Sequence, residues 1–270
     1  MSDASIHRVL IAVGVAISGI AALFLVFGGL PVKIALGGPY PGDEANFKCY
    51  RAVGFHFDVD DPDLLLDDQF QVKEAELGAP NALCNPVEKD DDGAGGGAGN
   101  FVEADHYGCF EIDQEGFFFD FVDVENQFGD QELLLKQANQ LCVRSEKEGD
   151  DGGPEIIGVL DQMKCYRAVW TDWEDFEPIR VELEDQFRET EALVLWPVSL
   201  CTPVEVFDEQ FQVNGQGSDA GRDGEALVCY RIWEPGLEVN FVEVNNLVDS
   251  YDLLVLWAQT LCVPTDKLED

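Results

Sequence analysis

Eight cysteines, at 49, 84, 109, 142, 165, 201, 229 and 262, are the residues best placed to do chemistry in this 270-residue chain. No C-x-x-C or C-x-x-C-H occurs, which excludes a zinc ribbon, a thioredoxin-type site and a c-type haem attachment. No two cysteines lie close in sequence, so a thiolate-held metal is disfavoured as well. The intervals between them alternate long and short: 35, 25, 33, 23, 36, 28 and 33 residues. Two cysteines at constant positions in each long interval predict one bridge each: Cys49–Cys84, Cys109–Cys142, Cys165–Cys201 and Cys229–Cys262. Bridges between intervals are the alternative, because eight cysteines allow 105 pairings. Each closed loop of this length contributes about 4 kcal/mol in the chain-entropy view. Such pairs persist in oxidising compartments.

Other reactive groups give weaker signals. Of three histidines, His7 precedes a long apolar run, and neither His56 nor His106 falls in a zincin motif. No nucleophile elbow and no phosphate-cradling glycine loop is present. The chain carries 54 acidic against 16 basic residues, a net charge of −38. That surplus repels phosphate backbones and excludes nucleic acid as a partner. It also supplies so many carboxylates that no acid–base pair stands out, although a secreted carboxylate-dependent hydrolase acting on glycans remains the rival reading. The densest acidic clusters, Asp58-Asp60-Asp61-Asp63, Asp67-Asp68 and Asp90-Asp91-Asp92, suit loosely bound calcium. None has the ordered ligand spacing of a calcium loop, so no cofactor and no specific metal site is expected. All five tryptophans lie beyond residue 169, and Trp196 and Trp257 each stand five residues before a closing cysteine. Two roles fit them: packing beside the bridge, which the burial habit of tryptophan favours, or a ligand-stacking surface.

These residues recur in register. Each long interval opens with Cys and an aromatic (Cys49-Tyr50, Cys109-Phe110, Cys165-Tyr166, Cys229-Tyr230) and closes with Leu-Cys. Between them lie Asp68-Gln69-Phe70, Asn126-Gln127-Phe128 and Asp185-Gln186-Phe187, with Asn246-Leu247-Val248 in the fourth copy. Four copies in register define an internal repeat. Copies one and three resemble each other, as do two and four, which predicts two tandem two-repeat domains, 44–148 and 160–270. The repeats themselves span 47–89, 107–147, 163–205 and 227–267. Glycine- and aspartate-rich stretches between them read as solvated linkers.

Inside a repeat, Ile179 to Glu184 and Val239 to Val244 alternate apolar and polar residues, the period of half-buried strands. The Asx residue of Asx-Gln-Phe can bond the backbone two residues on and turn the chain. Each repeat thus reads strand, turn, strand, strand. Leu133-Leu134-Leu135 favours a helix locally, but the aligned Leu253 to Trp257 is a strand sequence and decides for strand. The predicted fold class is mainly β: four short disulfide-stapled repeats in two tandem domains, preceded by one apolar N-terminal helix. A hydrophobic content of 46% with 18 Phe is too rich for a wholly disordered chain.

Residues 9–30 carry no charge and span about 33 Å as a helix, one hydrocarbon core. Residues 1–34 therefore read as a signal anchor partnering the membrane, or as a cleaved signal peptide. Either places the C-terminal part outside: cell surface, periplasmic or secreted.

The opening Cys-Tyr-Arg, the central Asp-Gln-Phe and the closing Leu-Cys-x-Pro resemble an uncharacterised tandem Cys-pair repeat domain of exported proteins from deltaproteobacteria and other environmental bacteria. The resemblance covers all four copies and departs at Arg144 and at Leu247-Val248. It implies export and tandem extracellular modules, and no activity. The expectation is a non-enzymatic, exported or membrane-anchored structural or binding protein, its partner an unknown surface glycan or protein.

Overall fold

The computed structural model describes residues 46–55, 57, 63–87, 106–147, 162–171, 176–207, 226–236, 239–246 and 248–267. Residues 1–34, His56, Asp58 to Asp61, Asp90 to Asp92 and Trp173 lie outside these, and with them the expected N-terminal helix, one acidic cluster and all of another but Asp63.

Every described element is a strand, and each Cys-to-Cys segment supplies three. The first gives β1 (Asn46–Phe55), β2 (Asp63–Asp68) and β3 (Val72–Val87). The second gives β4 (His106–Asp113), β5 (Phe119–Asn126) and β6 (Gly129–Lys147). The third gives β7 (Met163–Trp170), β8 (Ile179–Glu184) and β9 (Glu189–Phe207). The fourth gives β10 (Ala226–Trp233), β11 (Asn240–Asn246) and β12 (Ser250–Lys267). The order within a segment is therefore strand, strand, turn, strand. The last two strands of the sequence reading are one long strand. Residues 130–140 are strand, within β6.

Each long strand is irregular a few residues before its cysteine. The register slips between Leu77 and Ala82 on β3 and between Leu135 and Gln140 on β6. It slips again between Val194 and Ser199 on β9, and between Val255 and Thr260 on β12. Such bulges bend a strand and sharpen its twist. Beyond the bend, the first half of each long strand pairs with the short strand of its own segment, as Leu64 does with Ala75 and Val122 with Leu133.

The opening strands and the long strands form a closed antiparallel circuit: β1-β3-β4-β6-β7-β9-β10-β12 and back to β1. Closure removes the edges of this eight-strand ring. The expected domains 44–148 and 160–270 do not form separate sheets, because β6 pairs with β7 and β12 returns to β1. Short strands tie the halves together again: β2 pairs with the end of β9, β5 with the end of β12 and β11 with the end of β6. Two small two-strand-edged domains would each leave exposed ladders; one ring satisfies them.

The ring is packed on both faces. On its outer side Tyr50, Phe110, Tyr166, Leu83, Leu141 and Leu200 are fully buried beneath the short-strand hairpins. On its inner side lie all eight cysteines with Phe47, Tyr107, Met163 and Leu227. Asn46 to Tyr50 are consequently buried without interruption.

Candidate functional site

Strand alternation sends every cysteine to the inner side of the ring, one from each of its eight strands. Partners face each other directly across neighbouring strands, as in the registers Cys49↔Cys84, Cys109↔Cys142, Cys165↔Cys201 and Cys229↔Cys262. These four pairs are bridged, and no free cysteine remains. Successive bridges also touch. Sγ atoms lie 3.8 Å apart for Cys84 and Cys109, and 3.9 Å for Cys142 and Cys165. Cys201 and Cys229 are 3.8 Å apart, and Cys262 and Cys49 close the circle at 3.6 Å. Eight sulfurs form an unbroken belt around the lumen.

Two residues away from the belt on either side, the chemistry differs. One layer is largely apolar: Phe47, Tyr107, Met163 and Leu227, with the Phe47 and Tyr107 rings edge-on at 5.0 Å and Arg144 in register with Tyr107. The opposite layer is polar. There Arg51 pairs with Ala82, Glu111 with Gln140, Arg167 with Ser199 and Arg231 with Thr260 in the strand register. A cavity of about 330 Å³ runs from the sulfur belt to this rim, and Arg167, Arg231, Gln140, Gln259 and Asn139 line it. Among the described residues none of Arg51, Arg167 and Arg231 makes an ion pair or a side-chain hydrogen bond, in a chain with 54 acidic residues.

A second kind of site lies outside the ring, where the Asx-Gln-Phe turns dock. Asp68 Oδ1 accepts from the backbone N–H of Phe70 and Gln71 at 2.8 and 2.9 Å. Asn126, Asp185 and Asn246 repeat this turn. The other carboxylate oxygen reaches an opening strand elsewhere in the chain. Tyr166 donates to Asp68 Oδ2 at 2.6 Å, and Tyr50 to Asp185 Oδ2 at 2.6 Å. In the second turn, Asn126 and Gln131 hold the Tyr230 hydroxyl. The phenylalanine of the motif then packs edge-on against the same tyrosine: Phe70 on Tyr166, Phe187 on Tyr50 and Phe128 on Tyr230, at 5.2, 5.2 and 4.8 Å.

Charge follows the same division. Lys164 pairs with Asp68 at 3.2 Å, and Lys48 lies 3.8 Å from Asp185 and 2.9 Å from Glu234, all in sites closed to solvent. Where the turn carries Asn instead, the position of the lysine holds Val228 or Gly108. Burial, then the neighbouring Asp185 and Asp68, push the Tyr50 and Tyr166 hydroxyls well above the ordinary phenol range. Burial raises Tyr230 and Tyr251 likewise. Burial lowers Lys164, and the Asp68 carboxylate offsets part of that. Such groups are structural: Asp68 and Asp185 each take a tyrosine hydroxyl and two backbone N–H donors, with a buried lysine as ion-pair partner.

Trp196 and Trp257 stand on the bulges and are 50% and 42% exposed, so they do not pack the core beside the bridges. A bulge leaves its extra residue unpaired and outside the regular alternation. His106 is buried at the start of β4. Asp68 is buried and engaged, unlike an open cation cluster, and among the described residues no group of three His, Cys, Asp or Glu side chains could hold a metal. Sequence reasoning missed the rim arginines. Their signal was present in the Cys-Tyr-Arg of three copies, two residues beyond a cysteine and so on its face. No protein-family model, no curated protein and no solved structure matches the chain.

Proposed function

We propose that the protein is an exported or membrane-anchored, extracytoplasmic structural and binding module without enzymatic activity. The sulfur belt carries this reading. Four bridges in contact around one lumen support assembly in an oxidising compartment and make the ring rigid. A rigid ring whose lumen bears a polar rim is a frame for holding a partner. The half-exposed Trp196 and Trp257 rings add a surface on which a glycan or peptide could stack. The Cys-Tyr-Arg and Asp-Gln-Phe repeats, with the apolar residues 9–30, support export.

A hydrolysis screen of the full chain over glycan and peptide substrates tests it against the hydrolase reading. The expected result is no turnover. Turnover abolished by one Asp or Glu substitution would overturn the proposal.

A further inference from the structure

We propose that the polar end of the lumen binds a small organic carboxylate, its head on Arg167 and Arg231 and its apolar body against the sulfur belt. The inference deepens the binding reading above and rests on it. Three observations carry it. Both arginines line the same cavity and lack a carboxylate partner among the described residues. Both side chains are exposed at the rim, where an incoming anion can reach them. The planar fork of donors on a guanidinium matches a carboxylate better than any other small group. Amide donors from Gln140, Gln259 and Asn139 line the same space.

The floor of the cavity is of the opposite character. Eight disulfide sulfurs present a polarisable, weakly hydrated surface, and Phe47, Tyr107, Met163 and Leu227 line the cavity beyond them. A cavity of about 330 Å³ holds a ligand of small-metabolite size. Size and charge also select against polyanions. A long one would leave the rim and meet the acidic surface, with Glu111 standing among the arginines at the rim itself.

Calorimetric titration of the full chain with hexanoate, hexanol and inorganic sulfate tests the site. Hexanoate is expected to bind saturably, at least tenfold more tightly than either of the others. Arg167→Gln combined with Arg231→Gln should weaken hexanoate at least tenfold, whereas Arg180→Gln, on β8 and paired with Glu191, should leave it within twofold. Should the double variant misfold, arginine modification by phenylglyoxal on the native chain decides: hexanoate should protect Arg167 and Arg231 and not Arg180. No saturable binding, sulfate binding equal to hexanoate, an unaffected double variant or absent protection would each overturn the proposal. Turnover in the hydrolysis screen would sink the wider reading and leave these titrations interpretable on their own.

Discussion

The Tyr166 hydroxyl donates to the Asp68 carboxylate at 2.6 Å across 98 residues of sequence, and Tyr50 returns the same bond to Asp185. The hairpin of segment one thus docks on segment three, and that of segment three on segment one. Segment four's Tyr230 meets segment two's Asn126, and segment two's strand meets Asn246 of segment four. Reciprocal docking explains why copies one and three resemble each other, and two and four. Each pair shares one solution to a buried contact: acid with lysine, or amide without it.

The Asp68–Lys164 pair is closed to solvent, so removing one charge strands the other. Asp68→Asn is expected to cost about 3–5 kcal/mol. Adding Lys164→Val, the arrangement that Asn126 and Val228 already use, should restore more than half of that loss. Urea unfolding of the two single variants and the double variant checks the cycle. Additive losses would show that the two side chains do not interact.

Gly108 occupies the position of those lysines in the second segment. A β-carbon there would sit 2.3 Å from the Tyr251 hydroxyl and 2.8 Å from Ser145 Oγ. Phe110 lacks a hydroxyl, and Tyr251 takes its place, accepting from Asn246 Nδ2 at 3.0 Å. Gly108→Ala should therefore destabilise by about 1–3 kcal/mol. The combination with Tyr251→Phe should recover part of it, read by thermal unfolding; a neutral Gly108→Ala would contradict the close approach.

Four tyrosine hydroxyls have folded pKa values raised above the phenol value of about 10, all by burial, and Tyr50 and Tyr166 further by the neighbouring Asp185 and Asp68. The folded state therefore binds their protons more tightly than the unfolded chain does. Their contribution is complete below about pH 10 and falls as pH rises beyond it. Phenolate absorbance should show Tyr50, Tyr166, Tyr230 and Tyr251 ionising only with the loss of near-ultraviolet circular dichroism. Reversible ionisation of all six tyrosines in the folded protein would be incompatible with this burial.

Much of this arrangement was legible in the sequence. Constant cysteine spacing pointed to the bridges, and the Asx-Gln-Phe element to a turn closed by its own side chain. Strand β6 was decided by its alignment with Leu253 to Trp257. The closure was hidden, because the pairing of β1 with β12 joins residues some 200 apart and leaves no local trace. Alternation fails around the cysteines, where Asn46 to Tyr50 are buried on both faces. The exposure of Trp196 and Trp257 was equally hidden: it depends on bulges, which carry no fixed residue signature across Ala79, Gln137, Trp196 and Trp257.

A net charge of −38 on one chain should make stability depend on salt. At about 8 Å the physiological screening length is short enough to relieve repulsion between neighbouring carboxylates. Melting temperature should rise gradually from low to physiological sodium chloride, by about 2–4 °C per kcal/mol relieved. Calcium chloride at matched ionic strength should act alike, as loose binding requires. A sharp, saturable rise at micromolar calcium would reveal an ordered site instead.

Closure of the four segments into one ring is the claim on which the lumen, its sulfur belt and its arginine rim all depend. Nuclear Overhauser contacts between β1 and β12 measure it most directly, at the registers Val53↔Leu254 and Ala52↔Val255. A single ring predicts cross-strand contacts at both positions. Two tandem domains, each closed on itself, would give none between these strands and would place Val53 and Leu254 in different bodies.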